Sequence, residues 1–251
     1  MIFNYCPPRE LQDLKSTTFP DGKRYYQLPD GTRLPSVTTV IGAKKKQSIL
    51  EWRQRVGEEV ANKISKQATS RGTNLHTLCE KYLNNDPKYL LNTMPDALEM
   101  FKSVKPLLNR INNIHYQEQA LWSVGIGMAG RVDCIGEFDG VLSVIDFKTS
   151  KRIKDKGDIL DYFAQCTAYA MMYEELIGTR RAGFKFQEIF RLGIRRQFDF
   201  QLNRRVLVLV ITEQSQRLRA GQCWKHGQCA QRAQTKTLAH NQPSESSKSR
   251  F

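Results

Sequence analysis

A chain of 251 residues with 40% hydrophobic content can bury one core with an appendage, and it has no apolar run of about 18 residues with which to span a membrane. Its six cysteines include no CxxC pair, which argues against both a zinc ribbon and a disulfide framework. The formal net charge of +14 fits a polyanionic partner but is unevenly placed: residues 180–251 hold 15 Lys and Arg against 4 Asp and Glu, residues 1–179 hold 24 against 21. That basic tail reads equally as a solvated surface or a nucleic-acid contact.

The opening MIFNYCPPRELQDLK lacks a basic start followed by an apolar stretch and reads as neither a signal nor a transit peptide. The chain is therefore expected to be intracellular. Residues 1–47 are rich in Pro and Gly, with short alternating pieces (KRYYQL, LPSVTTVI), and predict an extension with one hairpin followed by a strand or helix entry. A helix is expected from Ser48, where Ser48 and Glu51 have capping-box spacing and Trp52, Val56, Val60 and Ile64 recur every four residues. A second is expected over about 72–84 and a third over about 95–113. A strand-rich block follows at 116–149, then an amphipathic helix at about 158–177. Cys79, Cys134 and Cys166 lie in apolar periodic segments, as small buried hydrophobes do. Past residue 178 charge becomes one-sided and aliphatic residues thin out, as in a divergent segment or one translated from a shifted reading frame. VLVLVI at 206–211 is the strong strand candidate there, and 213–251 has the composition of a disordered segment.

The chemistry concentrates in GRVDCIGEFDGVLSVIDFKT, residues 130–149. Asp-Gly between two β-type runs is a strong hairpin signal. With Asp139 and Gly140 as the loop, Phe138 faces Val141 and, further back, Asp133 faces Asp146. Their Cβ atoms would lie roughly 5 Å apart on one face of the sheet, where like charges repel. A divalent cation such as Mg²⁺ or Mn²⁺ would compensate both carboxylates. Lys148, two residues past Asp146, shares that face, where an ammonium can orient water and stabilise a developing phosphate charge. Val132, Cys134, Ile145 and Phe147 would form the opposite, core face. An edge hairpin with solvated aspartates fits the same pattern, but Asp146 interrupts VLSVIDF, a run apolar enough for a central strand.

GRVD, then DFKT, then a helix carrying Gln165 and Tyr169 in QCTAY resembles the PD-(D/E)xK nuclease superfamily, in its RecB-type exonuclease branch. RGTNLH at 71–76 resembles that branch's helix motif, and LPSVTTVIG with LEWRQRVGEEVA resembles the start of the mitochondrial genome maintenance exonucleases and their phage and bacterial relatives. The likeness spans about 30–178. It implies an α/β, restriction-endonuclease-like core over 48–178, with a small mixed central sheet flanked by helices, and an atypical basic segment over 179–251. It implies Asp133, Asp146, His76 and the Phe147 carbonyl as ligands of Mg²⁺ or Mn²⁺, and Lys148 as catalytic lysine. Gln165 and Tyr169 would position DNA or the active-site strands. Glu118 matches a recurrent acidic position. Arg71 can contact phosphate or simply precede a helix, and Glu80 shares a helix flank with His76. Some relatives hold an iron–sulfur cluster on four cysteines; with Cys6, Cys223 and Cys229 alone in suitable regions, none is expected.

The resulting expectation is a metal-dependent DNA exonuclease acting on single strands or free ends in replication, repair or recombination. It would be cytoplasmic, and bacterial or phage-encoded rather than mitochondrial. A non-catalytic nucleic-acid-binding protein on a nuclease fold would instead retain DNA in chelator, and a structure-specific endonuclease would cut circular single strands.

Overall fold

A computed structural model describes residues 1–150, 159–178, 199–203 and 206–212, the last two segments as backbone. Strands β1 (Ser16–Thr18), β2 (Arg24–Gln27) and β3 (Arg33–Pro35) form a small antiparallel sheet rather than a single hairpin. Tyr26, Leu28 and Leu34 of this sheet pack with Leu14 on Ala120 and Ala129 of the main sheet. The helix entry in LPSVTTVIG is α1 (Val37–Gly42), capped by Ser36, whose Oγ accepts from the Thr39 N–H at 3.1 Å.

The helix expected from Ser48 starts earlier, as α2 (Lys46–Val56), and Ser48 is not its cap. Gly57, at φ 84°, ends α2, a conformation a side chain would resist. The chain then runs as one 26-residue helix, α3 (Glu58–Leu83), through the region expected to separate two helices. The Trp52–Val56–Val60–Ile64 spacing is broken by that turn and lies toward solvent, with Val60 49% exposed. The buried stripe of α3 is Leu75, Leu78, Cys79, Tyr82 and Leu83. Helix α4 (Pro95–Leu108) stops short of the expected residue 113, because Ile111 and Ile114 leave for strand β4 (Ile111–Ser123) and are fully buried there.

Strands β5 (Met128–Phe138), β6 (Val141–Thr149), β7 (Asp199–Asn203) and β8 (Val206–Thr212) complete a sheet of order β4-β5-β6-β8-β7. The strand pairings within this sheet are antiparallel, where a mixed sheet was expected; for β4, β5 and β6 this follows from the tight reversals that join them. VLVLVI is β8, so the segment after 178 supplies the neighbour of β6. The expectations for 213–251, with Cys223 and Cys229, lie outside the described residues. Helices α3 and α4 cover one face, closing a core of Leu75, Phe101, Leu108, Cys134, Ile145 and Phe147. Helix α5 (Leu160–Leu176) covers the other with Phe163, Cys166, Tyr169 and Met172, against Ile135 and Val144. Val132, expected beside Cys134, packs instead with the α5 layer; the β4–β5 ladder is interrupted between them, at Glu118 and Asp133. The α/β class with a helix-flanked sheet is as expected. Among the described residues no helix is long and apolar enough to cross a membrane.

Candidate active site

The β5–β6 hairpin has the expected register. Phe138 pairs with Val141, and pairing continues without a bulge to Cys134–Ile145, one step before Asp133 and Asp146. Asp139 (φ 51°) and Gly140 (φ 77°) form the left-handed two-residue loop that matches sheet twist. Arg110 fixes the loop from outside through an ion pair to the Asp139 carboxylate and lies over the Phe138 ring at 4.3 Å. Because β6 is the third of five strands, Asp146 is fully buried.

Lys148 answers that burial. Its Nζ donates to Asp146 Oδ1 at 2.6 Å and lies equally close to Oδ2, which has no hydrogen bond of its own. Burial pushes the Asp146 carboxyl up to about 6, with Asp133 adding to the rise and Lys148 opposing it. Burial alone would lower the Lys148 ammonium; Asp146 and Asp133 outweigh it and hold it above its ordinary value. The Tyr162 ring lies 5.6 Å from Nζ on the α5 side. The lysine side chain keeps 22% of its surface exposed, so its ammonium remains within reach of a bound molecule.

Asp133 reaches across to β6, where its Oδ2 accepts from the Phe147 N–H at 2.7 Å. His76, from α3, places Nε2 2.6 Å from the Phe147 carbonyl and Nδ1 3.6 Å from Asp133 Oδ2. A carbonyl only accepts, so Nε2 carries the proton, and Nδ1 is the ring nitrogen turned toward Asp133. The Phe147 carbonyl, expected as a ligand, also orients the histidine, and its second lone pair stays available.

Glu118 completes the cluster. One ligand atom each from His76, Glu118 and Asp133 lie within 4.8 Å of one another. Glu118 stands on β4 at φ 48°, a left-handed conformation that costs a non-glycine residue about 1–3 kcal/mol and recurs at functional positions. Burial, then Asp133, raises its carboxyl to about 7. Glu80 adds to that rise but does not join the cluster; its backbone carbonyl accepts from Gln117 Nε2 at 2.9 Å.

An imidazole lone pair and two carboxylates crowded together, beside a buried carboxylate oxygen without a hydrogen bond, fit a hard divalent cation. His76, Glu118 and Asp133 would hold it, with Asp146 adjacent.

Tyr169, offered by the resemblance as a positioner of DNA or of strands, is 2% exposed and packs against β5. A Cβ on Gly130 would meet its Cε1 at 2.7 Å and its Oη at 3.0 Å, so the glycine of GRVD admits the ring against β5. Gln165, half-buried, donates to Tyr169 Oη at 3.2 Å. Arg71, on α3, is half-buried, and its Nε lacks a hydrogen-bond partner. Sequence reasoning missed Arg131, whose guanidinium donates to the Glu118 carbonyl; a half-exposed arginine inside a strand carries no local signal of such a role.

This sheet, helix and carboxylate–lysine arrangement fits a nuclease core, and a family model of the PD-(D/E)XK nuclease superfamily matches residues 43–236. The chain belongs to that superfamily. It is 30% identical over 132 residues to mitochondrial genome maintenance exonuclease 1 of Homo sapiens, and 25% identical over 129 residues to the Mus musculus protein of that name. Each match takes in 48% of this chain and 38% of the relative, so the chain spans well under half the length of these relatives.

Proposed function

We propose that the chain is a divalent-cation-dependent deoxyribonuclease that hydrolyses phosphodiester bonds from free ends, with single-stranded DNA preferred. The observation that carries this reading is the convergence of His76, Glu118 and Asp133 beside the buried Asp146–Lys148 pair. The exonuclease part rests on the relatives' name and on the resemblance of GRVD, DFKT and RGTNLH. Mg²⁺ or Mn²⁺, when bound, supplies Lewis-acid polarisation of the phosphate and a nucleophilic water at neutral pH.

The chain's own residues divide the remaining work. Phe147 fixes the His76 tautomer through Nε2 and leaves Nδ1 free to ligate. Asp146 holds the Lys148 ammonium at the mouth of the site, where it can donate to an attacking water or to the phosphate oxygens as charge develops. Arg71, half-buried on α3, is the candidate for a phosphate contact. An excess of basic residues over acidic ones adds affinity for any phosphate backbone. Such an enzyme would work where intracellular DNA is replicated, repaired or recombined.

The test is degradation of end-labelled single-stranded oligonucleotides in Mg²⁺ or Mn²⁺, with wild type beside Lys148→Ala. A metal-dependent ladder that the variant slows by about 10²–10³-fold is the expected result. Equal activity in chelator, or none by a folded wild type in either metal, contradicts the reading. Cutting of circular single strands would turn it toward an endonuclease.

A further inference from the structure

The reading of Glu118 as a cation ligand leaves open what holds it in place. Its backbone is left-handed, at φ 48°, and it interrupts the β4–β5 ladder between the pairs Gln117–Cys134 and Gln119–Val132. A strand at such a break is free to relax unless its surroundings over-determine it.

Those surroundings are the N-terminal fourteen residues. Phe3 and Leu14 are buried at the two ends of this segment. Between them it runs beside β4: the Cys6 N–H donates to the Ile114 carbonyl, and the Ile114 N–H donates to the Asn4 carbonyl. The residues flanking Glu118 then grip the segment in turn. Tyr116 Oη donates to the Arg9 carbonyl at 2.6 Å. Gln117 Oε1 accepts from Tyr5 Oη at 2.9 Å. Gln119 Nε2 donates to the Gln12 carbonyl at 3.2 Å. For Glu118 the link is Arg131, on the neighbouring strand. One guanidinium nitrogen donates to the Glu118 carbonyl; the other donates to Asp13 Oδ1 at 2.7 Å and to the Leu14 carbonyl at 3.3 Å.

We infer that Arg131, anchored by Asp13 and Leu14 of the N-terminal strap, is a positioning residue that fixes the left-handed turn at Glu118 and so presents its carboxylate to the metal. The strap residues are remote in sequence from the acidic cluster, yet they determine one of its corners. Arg131 hydrogen-bonds the Glu118 backbone, and its charge also attracts the Glu118 carboxylate. The inference rests on Glu118 being a ligand, as proposed above.

Mn²⁺ binding by the full chain, without DNA, tests it. The electron-paramagnetic-resonance signal of free Mn²⁺ reports affinity directly, with folding followed by circular dichroism. Four proteins form a cycle: wild type, Arg131→Met, Glu118→Gln and the double variant. Arg131→Met should weaken Mn²⁺ binding by about 10- to 100-fold, the range for loss of a group that orients a ligand. In the Glu118→Gln background the same change should have no further effect. An equal loss in both backgrounds overturns the inference, since a general structural role does not depend on the Glu118 carboxylate. Unchanged affinity in a folded Arg131→Met also overturns it. If Arg131→Met fails to fold, Asp13→Ala takes its place in the cycle. That change removes the strap's side-chain anchor and should weaken binding less, again only when Glu118 is present. Wild type without Mn²⁺ affinity would overturn the metal reading and this inference together, whereas normal wild-type affinity with an unaffected Arg131→Met overturns this inference alone.

Discussion

At the scale of single residues, the site is a set of groups whose burial is tolerated only through named partners. Asp146 has no solvent contact and, among the described residues, is ion-paired with Lys148. Lys148→Ala should therefore destabilise the metal-free protein by about 1–3 kcal/mol, the cost of leaving a buried acceptor unsatisfied, and added Mn²⁺ should recover part of it. Chemical denaturation in chelator and in Mn²⁺ measures both. A loss indifferent to the metal would mean that Asp146 does not face the cation. Gly130 is a second such point. Gly130→Ala drives a methyl into the buried Tyr169 ring, at 2.7 Å from Cε1. Because the ring is wedged in the α5 layer and cannot retreat freely, the expected cost is about 1–3 kcal/mol, read as a lower denaturation midpoint. A neutral result would show that the α5–β5 contact is looser than described.

At the scale of elements, α3 does two jobs along its length. Its first half carries one buried residue, Ala61, while its second half buries Leu75, Leu78, Cys79, Tyr82 and Leu83 and delivers His76 to the hairpin. Amide hydrogen exchange should accordingly be faster over residues 58–70 than over 75–83, since local opening is resisted by buried apolar contact. Uniform protection along α3 would contradict this division. The four-residue spacing of Trp52, Val56, Val60 and Ile64 predicts one continuous face; Gly57 breaks it, and neither segment buries it. Periodicity counts positions on an assumed helix and cannot register a left-handed glycine between them. Conversely, Ser36 caps α1 with the same chemistry assigned to Ser48, so the capping signal was sound but sat in a different place.

At the scale of the whole molecule, stability and metal binding are linked through protons. Below about pH 4 the carboxyls of Glu118 and Asp146 are protonated in both folded and unfolded chains. As pH rises, the unfolded chain releases these protons at ordinary carboxylate values, whereas the folded chain keeps them to about 7 on Glu118 and about 6 on Asp146. The folded state then binds more protons than the unfolded one, so stability from these groups falls between about pH 4 and pH 7. In chelator, wild type should lose thermal stability over that range relative to Glu118→Gln. Mn²⁺, which binds the ionised carboxylates, should reverse the trend and stabilise wild type over the variant as pH rises. Parallel pH profiles for the two proteins would contradict the assignment of Glu118.

The hairpin and its two aspartates were legible in the sequence because their determinants are local: a two-residue turn signal and strict alternation set which side chains share a face. The basic excess was legible from composition, whereas α5, expected to be amphipathic, is buried on every side from Cys166 to Tyr173. The partner of His76, the closeness of Glu118, and the hold of the strap on β4 join residues far apart along the chain. Only packing decides these, since no spacing rule relates position 76 to 147 or 13 to 131. Nor could pattern alone foresee the left-handed Glu118, because a strained backbone is sustained by its surroundings rather than by the propensity of its own residue.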